Sequence, residues 1–329
     1  MIDIHDIIIL PETERLPLDL RRGTEAASVY LEVGFGNGEY LIHLAKENPG
    51  AMLWGVEMSR SCVLRAIRRV KREQVENIRL VCGDARFFLE KCLARNSLNG
   101  IYMNFPCPWP KKRHSKKRLS GDGFPSEIAG ALEGGGFFEL MTDEEWFASE
   151  VRDAFADEPA FSAVDWLENP SRPVTTKYER KWTEQGKNLF RLRFLKNKGE
   201  AADDASHLSG RYEELHILIR GSGDLQGLMN SLSNLEGRRG DSLWVLKRSY
   251  SSDRGTEYLI EAVCTDGGFE QKLFVMVVKR SDDVLVKVAP YSAPFLTDSV
   301  KEALKGVASA IEGHFVGLAP EPPSGESRL

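Results

Sequence analysis

The sequence predicts an α/β fold with a parallel sheet covered by helices on both faces, followed by a smaller α+β domain. From about residue 27 to 147, short apolar runs alternate with amphipathic stretches. A polar segment poor in aromatic residues interrupts this pattern at about 196–212, and strand-like runs dominate beyond it. Strands that alternate with helices indicate a parallel sheet with ligands at the carboxyl ends of its strands. A length of 329 residues fits two domains.

The first domain begins with a strand at 28–34 that leads into a helix at 39–48. Two further strand–helix pairs follow, and then two more strands close the pattern. The predicted strands after the first are 52–58, 78–84, 99–106 and 135–142, and the helices after the first are 59–73 and 85–93.

The second domain shows a run of strands with a helix near each end. We predict strands at 215–221, 242–250, 257–265, 272–280 and 284–290, and helices at 224–237 and 297–315. The expected organisation is an N-terminal extension (1–26), the first domain (27–196), a linker (197–213), the α+β accessory domain (214–316) and a disordered tail (317–329).

The composition excludes several classes of protein. No apolar run approaches the roughly 18 residues of a membrane span. The N-terminus lacks the basic and apolar regions of a secretory signal. The five cysteines are scattered, without a CxxC pair, which argues against a zinc site or a disulfide framework. We therefore expect a cytoplasmic protein without a metal.

The charge is distributed unevenly. The chain has a net charge of −5, yet residues 1–200 are neutral and the excess acid lies beyond them. Within the neutral part, basic residues cluster at Lys111–Arg118 and between Arg60 and Arg72. The overall charge therefore conceals a local basic face, which indicates a nucleic-acid partner. The alternative for Lys111–Arg118 is a solvated run of charge.

A glycine-rich turn follows the first strand directly. Gly34, Gly36 and Gly38 permit positive φ and let the backbone approach a ligand at the start of the next helix. Their GxGxG spacing differs from the GxGxxG of a dinucleotide site, which speaks against a dinucleotide-dependent oxidoreductase. Alone, the turn is also compatible with a tight strand–helix connection that binds no ligand.

Acidic residues end the next two strands. Glu57 is placed to accept hydrogen bonds from both ribose hydroxyls of a nucleoside, and Asp84 is placed to accept a hydrogen bond from an exocyclic amine. Each alone is more often a cap of the following helix. The glycine turn and two acids at successive strand ends together predict an adenosine pocket, an arrangement that resembles the class I S-adenosylmethionine-dependent methyltransferases.

A proline-rich loop, Asn104–His114, follows the fourth strand. Its three prolines within five residues stiffen the segment that carries Trp109 and the basic run. The motifs LEVGFGNGEYLIHLA, GVEM, FPxPWPKKRH, MTD and TKYE, in this order, closely resemble the bacterial tRNA (guanine-N7)-methyltransferases. The resemblance covers about residues 27–195 and implies a Rossmann-like class I methyltransferase sheet.

The resemblance also implies an activity and a set of site residues. Methyl transfer from S-adenosylmethionine to N7 of a guanine in the tRNA variable loop, at position 46, is the expected reaction. Glu32, Glu57 and Asp84, with the glycine turn and the Cys107 position, would hold the cofactor. The expected substrate-binding residues are Lys111, Asp143, Thr176, Lys177, Tyr178 and Glu179. The basic loop adds expected RNA phosphate contacts at Lys112, Arg113, Lys116, Lys117 and Arg118.

The resemblance implies that the catalytic position is Cys107, where this chain departs from the family, which has an aspartate between the two prolines of this motif. Guanine N7 carries no proton, and its lone pair lies in the ring plane. Methylation of N7 therefore requires alignment of the reactants rather than a base. We therefore expect an active enzyme. The alternatives are a catalytically impaired tRNA-binding relative and a methyltransferase of another RNA base.

Overall fold

The computed structural model describes residues 2–108, 123–171, 180, 185–198 and 215–318. The chain divides into two compact units, Met1–Ser209 and Gly210–Leu329. Within the described ranges, no helix is both long enough and apolar enough to cross a membrane.

The first unit contains an eight-stranded sheet whose spatial order is β1-β4-β3-β2-β5-β6-β8-β7. Strands β1 to β6 pair in parallel, whereas β8 is antiparallel to both β6 and β7. The predicted parallel α/β sheet is therefore confirmed. The strands are β1 (Ile8–Ile9), β2 (Ser28–Val33), β3 (Ala51–Glu57), β4 (Ile78–Cys82), β5 (Leu98–Asn104), β6 (Leu132–Thr142), β7 (Phe161–Glu168) and β8 (Phe190–Lys196).

Helices cover both faces of this sheet because its central strands are apolar on both sides. In β3, Leu53 packs into a buried cluster with residues of two helices, while the neighbouring Trp54 faces Phe88, with ring centroids 6.3 Å apart. The helices are α1 (Ile4–Ile7), α2 (Glu39–Glu47), α3 (Arg60–Glu73), α4 (Ala85–Phe87, continued by a π-helical turn Phe88–Cys92), α5 (Phe124–Ala131) and α6 (Glu145–Ala156).

The N-terminal residues pack onto the sheet. Ile8 and Ile9 pair with β4 at its edge, and Ile7 is buried. The indole nitrogen of Trp54 donates a 2.8 Å hydrogen bond to the carbonyl of Leu20. This segment therefore adds a strand to the fold.

The second unit is a six-stranded antiparallel sheet with the order β10-β11-β12-β13-β14-β9. One face buries Ile260 and Val275 against Leu304 of the C-terminal helix. The predicted α+β character is confirmed. The elements are β9 (Ile217–Arg220), α7 (Gln226–Ser231), β10 (Glu236–Arg239), β11 (Ser242–Ser251), β12 (Glu257–Asp266), β13 (Phe269–Lys279), β14 (Asp283–Val288) and α8 (Asp298–Leu318).

Two predicted helices differ from the structure. The helix predicted at 224–237 ends at Ser231, because Asn234 has φ +67° and Glu236 pairs with Val245 of β11. The helix predicted at 85–93 is α-helical only as far as Phe87. The C-terminal helix continues to Leu318, two residues past the predicted accessory domain, and the rest of the predicted tail lies outside the described residues.

Candidate active site

Five adjacent strands end at one edge of the first sheet, where the described residues of the predicted site lie. Val33 pairs with both Val56 and Met103. Glu57 pairs with Cys82, and Asn104 with Met141. The strand order therefore brings together the glycine turn, Glu57, Asp84, the start of the proline-rich loop and Asp143.

The glycine-rich turn needs glycine at three positions. Gly34, Gly36 and Gly38 have φ values of +72°, +55° and +74°, which L side chains rarely adopt. A Cβ at Gly34 or Gly36 would meet no atom within 4 Å, whereas one at Gly38 would lie 3.1 Å from the Cβ of Ala66 in α3. Gly38 thus allows close helix packing, and the first two glycines leave an open backbone surface.

The carboxylate of Glu57 is held against this turn. Its Oε2 accepts a 3.1 Å hydrogen bond from the backbone N–H of Gly36, and its Oε1 accepts one of 2.8 Å from the N–H of Ser59. A carboxylate has about four hydrogen-bond acceptor sites, so these two bonds leave it able to accept hydrogen bonds from the hydroxyl groups of a ligand.

Glu32 is buried inside the site, with 2% of its surface exposed. Its Oε1 accepts a 2.9 Å hydrogen bond from Nδ2 of Asn104 at the end of β5. The next residue, Phe105, has φ +50°, and its N–H donates a 2.8 Å bond to the carbonyl of Met141. A left-handed backbone at a bulky residue persists only where its surroundings hold it, and such residues concentrate at functional sites.

Asp84 and Cys107 lie at the ends of two strands of the same sheet. Asp84 caps α4, since its Oδ1 accepts a 2.9 Å bond from the N–H of Phe87. The capping role considered for this residue is therefore real, and its Oδ2 accepts no hydrogen bond from the described residues. Cys107 is an exposed free thiol.

Asp143 follows β6 and forms an ion pair that the sequence did not indicate. Nζ of Lys187 lies 2.5 Å from Oδ2 of Asp143 and 3.1 Å from Oε1 of Glu144. The hydrogen bond that Lys187 donates to Asp143 is the main cause that raises the pKa of Lys187 above its usual value. This lysine therefore remains charged and holds the loop after β6.

Comparison with known proteins agrees with this geometry. A family described as "Putative methyltransferase" matches residues 26–192. A tRNA (guanine-N(7)-)-methyltransferase of Thermotoga maritima is 35% identical over 298 residues, which is 89% of this chain and 92% of that protein. The chain belongs to the tRNA (guanine-N7)-methyltransferase family.

Two other members of the tRNA (guanine-N7)-methyltransferase family differ in how much of the chain they match. The Thermus thermophilus protein is 31% identical over 288 residues, 86% of this chain and 89% of its own length. The Nitrosococcus oceani protein is 35% identical over 167 residues, 51% of this chain and 71% of its own length. The similarity to the Thermotoga and Thermus enzymes therefore extends into the second unit.

The cofactor of this methyltransferase family is S-adenosylmethionine, and the residues at the sheet edge fit it. The open backbone at Gly34 and Gly36 provides a surface that a Cβ would fill. Glu57 supplies carboxylate oxygens that can accept hydrogen bonds from ribose hydroxyls, and Asp84 retains one oxygen that can accept a hydrogen bond from an amine. The site therefore offers acceptors for the polar groups of an adenosine.

The structure places eight of the predicted site residues and does not describe the others. Glu32, Glu57, Asp84, Cys107, Asp143 and the three glycines lie at the ends of adjacent strands. The following predicted residues lie outside the described residues: Lys111, Lys112, Arg113, Lys116, Lys117, Arg118, Thr176, Lys177, Tyr178 and Glu179.

Sequence reasoning missed two polar partners within this site. Lys187 belongs to a stretch without a periodic pattern, so no sequence signal links it to Asp143. Asn104 stood inside the recognised loop motif, but only the pairing of β2 with β5 reveals that it contacts Glu32.

Proposed function

We propose that this protein transfers a methyl group from S-adenosylmethionine to N7 of a guanine in tRNA, at position 46 of the variable loop. The single observation that carries the proposal is the sheet edge at which a buried Glu32, Glu57 on the glycine turn and the Asn104–Cys107 loop start meet. Membership of the tRNA (guanine-N7)-methyltransferase family supports methyl transfer as the reaction at this edge of the sheet. A tRNA substrate also supports a cytoplasmic location.

The cofactor would be held by the polar groups of three neighbouring strands. Glu57 would accept hydrogen bonds from the ribose hydroxyls, and Asp84 would accept one from the adenine amine. Glu32 and the start of the proline-rich loop at Cys107 would contact the methionine end. The open surface at Gly34 and Gly36 would allow the ligand to approach the backbone.

The chemistry makes modest demands on the protein. S-adenosylmethionine supplies a sulfonium methyl whose carbon–sulfur bond breaks as the new nitrogen–carbon bond forms, leaving a neutral thioether. Guanine N7 needs no deprotonation, so the residues of this chain have to align the two reactants and stabilise the cationic purine. The buried carboxyl group of Glu32, held by Asn104, lies at the same edge of the sheet.

The substrate side of the site combines Asp143 with segments outside the described residues. Asp143 would bind the target guanosine together with Lys111 and the Thr176–Glu179 stretch. Lys187 holds the Asp143 carboxylate in place through its ion pair. The cations of the Lys112–Arg118 segment would contact RNA phosphates.

The mapped product of a methylation reaction tests this proposal. Unmodified tRNA is incubated with labelled donor, and the methylated nucleoside and its position are identified by mass spectrometry of nuclease fragments. Methyl at N7 of guanine 46 supports the proposal, whereas methyl on another atom or base contradicts it. Binding of S-adenosylhomocysteine but not of NAD, measured by calorimetry, separates it from the dinucleotide alternative.

Cys107 favours a second candidate, a tRNA-binding relative with impaired catalysis. The family places a carboxylate where this chain has an exposed thiol. A neutral thiol stabilises a developing cation less well than a carboxylate. Normal tRNA and donor binding without methyl incorporation would select this candidate.

A further inference from the structure

Helix α3 carries a concentration of positive charge that the site described above does not use. Its 14 residues, Arg60–Glu73, include six cations and one carboxylate. Val63, Ala66, Ile67 and Val70 are buried on one side of the helix. At 3.6 residues per turn, the opposite side carries the exposed residues Arg65, Arg68 and Arg72, and Arg60 is exposed at the N-terminal end of the helix; we call these four residues the arginine surface.

The arginine surface lacks the carboxylates that normally neutralise a charged helix. Arg60, Arg65 and Arg68 form no ion pair with any described residue. Arg72 is bound to the adjacent Glu73, but its side chain stays 70% exposed. By contrast Arg69, which lies outside this face, is paired with Glu39 at 3.2 Å. Like charges on successive turns of one helix oppose its formation, so an anionic partner would relieve them.

The position of α3 connects the arginine surface to the methyl-transfer site. The helix begins three residues after Glu57. Nε of Arg65 donates a 2.7 Å hydrogen bond to Oδ1 of Asn37, which lies between Gly36 and Gly38 in the cofactor turn. The surface is therefore continuous with the glycine-rich turn.

A second set of contacts joins α3 to Arg180 through a shared carboxylate. Glu39 pairs with Arg69 of α3 and also with Arg180, at 3.8 Å. Arg180 directly follows the Thr176–Glu179 stretch in the sequence. An RNA bound next to Arg180 would pass close to the exposed arginines of α3.

We propose that the arginine surface binds the phosphate backbone of the tRNA substrate. The inference rests on the proposed function and adds to it a contact surface separate from the Lys112–Arg118 segment. Arginine forms bidentate bonds with phosphate, and phosphate contacts fix the register of a nucleic acid on a protein. The distance along the axis from Arg60 to Arg72 is about 18 Å at 1.5 Å per residue, enough to follow several nucleotides.

Salt-dependent tRNA binding of the full-length chain tests this surface. The variant combines Arg60→Gln, Arg68→Gln and Arg72→Gln, and leaves Arg65 intact because it holds Asn37. The matched control combines Arg238→Gln, Arg248→Gln and Arg254→Gln, which remove the same charge from exposed positions of the second unit. A third protein carries lysine at the three α3 positions. Each is titrated with unmodified tRNA at several salt concentrations, and S-adenosylhomocysteine affinity is measured in parallel.

The glutamine variant is expected to raise the dissociation constant for tRNA by about tenfold or more and to lower the slope of log affinity against log salt by about 2 to 3. The lysine variant should recover most of the affinity, and the control should stay within about twofold of wild type. Affinity for S-adenosylhomocysteine should not change.

Wild-type tRNA affinity and slope in the glutamine variant would overturn the inference, as would an equal loss in the control. If the glutamine variant does not fold, Arg68→Gln alone is decisive, with a slope change of about 0.7–0.9 expected and an unchanged slope contradicting the inference. Failure of the proposed function is distinguished by a separate result, namely a wild-type protein that binds tRNA without methylating N7 of guanine.

Discussion

Nδ2 of Asn104 donates a 2.9 Å hydrogen bond to Oε1 of Glu32, which joins the ends of β5 and β2 through a carboxylate that is 2% exposed. An amide donor favours the charged form of a buried carboxylate and fixes its orientation. The bond therefore fixes a carboxylate oxygen at the place where the methionine end of S-adenosylmethionine and the target guanine would meet.

Replacement of Asn104 by aspartate should weaken donor binding. Two carboxylates at hydrogen-bond distance cannot both ionise easily, so the variant raises the pKa of one of them. We expect the affinity for S-adenosylhomocysteine at pH 7 to fall about tenfold, equal to about 1.4 kcal/mol, and to depend more steeply on pH than in wild type. Calorimetric titration from pH 6 to 8 measures both effects. Asn197→Asp is the control because Asn197 is exposed at the end of β8, and equal affinities for wild type and Asn104→Asp would remove the proposed role.

Glu57→Ala should weaken S-adenosylmethionine binding by about 1.5–3 kcal/mol, the range for charge-assisted hydrogen bonds. The loss has two sources, because the carboxylate also accepts from the N–H groups of Gly36 and Ser59. Calorimetry gives the affinity, with exposed Glu76→Ala as the control for a lost negative charge. Wild-type affinity in Glu57→Ala would exclude a ribose contact.

Asp266 should make the second unit sensitive to acid. Burial disfavours its charged form, but hydrogen bonds led by those from Ser299 outweigh burial and hold the pKa of Asp266 below its usual range. A lowered pKa contributes stability above the unfolded value of about 3.9, and this contribution is lost as the pH falls through the folded value below it.

The variant Asp266→Asn tests this contribution. It should destabilise the second unit at pH 7 by about 1–3 kcal/mol, because the N–H of Ser299 at the start of α8 loses its charged acceptor. Hydrogen exchange of the α8 amides in the full chain measures the change. Acidification below about pH 4 should lower the protection factors of these amides more in wild type than in the variant. Identical protection of the two proteins at pH 7 would contradict the role.

Cys107→Ala should retain methyl transfer with a loss of about tenfold, roughly 1.4 kcal/mol, if the reaction depends on alignment. Cys107→Asp should be equal to or faster than wild type, because a carboxylate stabilises the cationic purine. Single-turnover transfer to unmodified tRNA measures all three proteins. An inactive alanine variant that binds donor and tRNA normally would contradict the alignment mechanism. If the wild type transferred no methyl group while Cys107→Asp did, the result would indicate an impaired enzyme.

The sequence located the strand ends that carry several of the predicted site residues, because these residues follow apolar strands directly. The glycine turn, Glu57 and Asp84 stand where a parallel sheet gathers its strand ends, and the pairing of β2, β3 and β4 confirms that arrangement. The contacts of Asp143 with Lys187 and of Glu32 with Asn104 were not predicted, because they join residues that are 44 and 72 positions apart in the sequence.

Missed elements have different physical causes. Strand β8 alternates buried Phe190, Leu192 and Phe194 with Arg191 and Arg193, a period-2 pattern that is typical of a strand. The helix predicted to reach residue 237 had a helical pattern, yet pairing between β10 and β11 determined its last residues. Tertiary pairing therefore overrode local propensity there.

The most direct test of the central claim is methyl transfer to tRNA with guanine or 7-deazaguanine at position 46. The two substrates differ only in the ring atom that carries the acceptor lone pair. We predict labelled methyl at N7 of guanine 46 and no transfer to the 7-deazaguanine tRNA, with similar affinity for both. Transfer to the 7-deazaguanine tRNA, or a methyl group on any other atom of the guanine tRNA, would contradict the account.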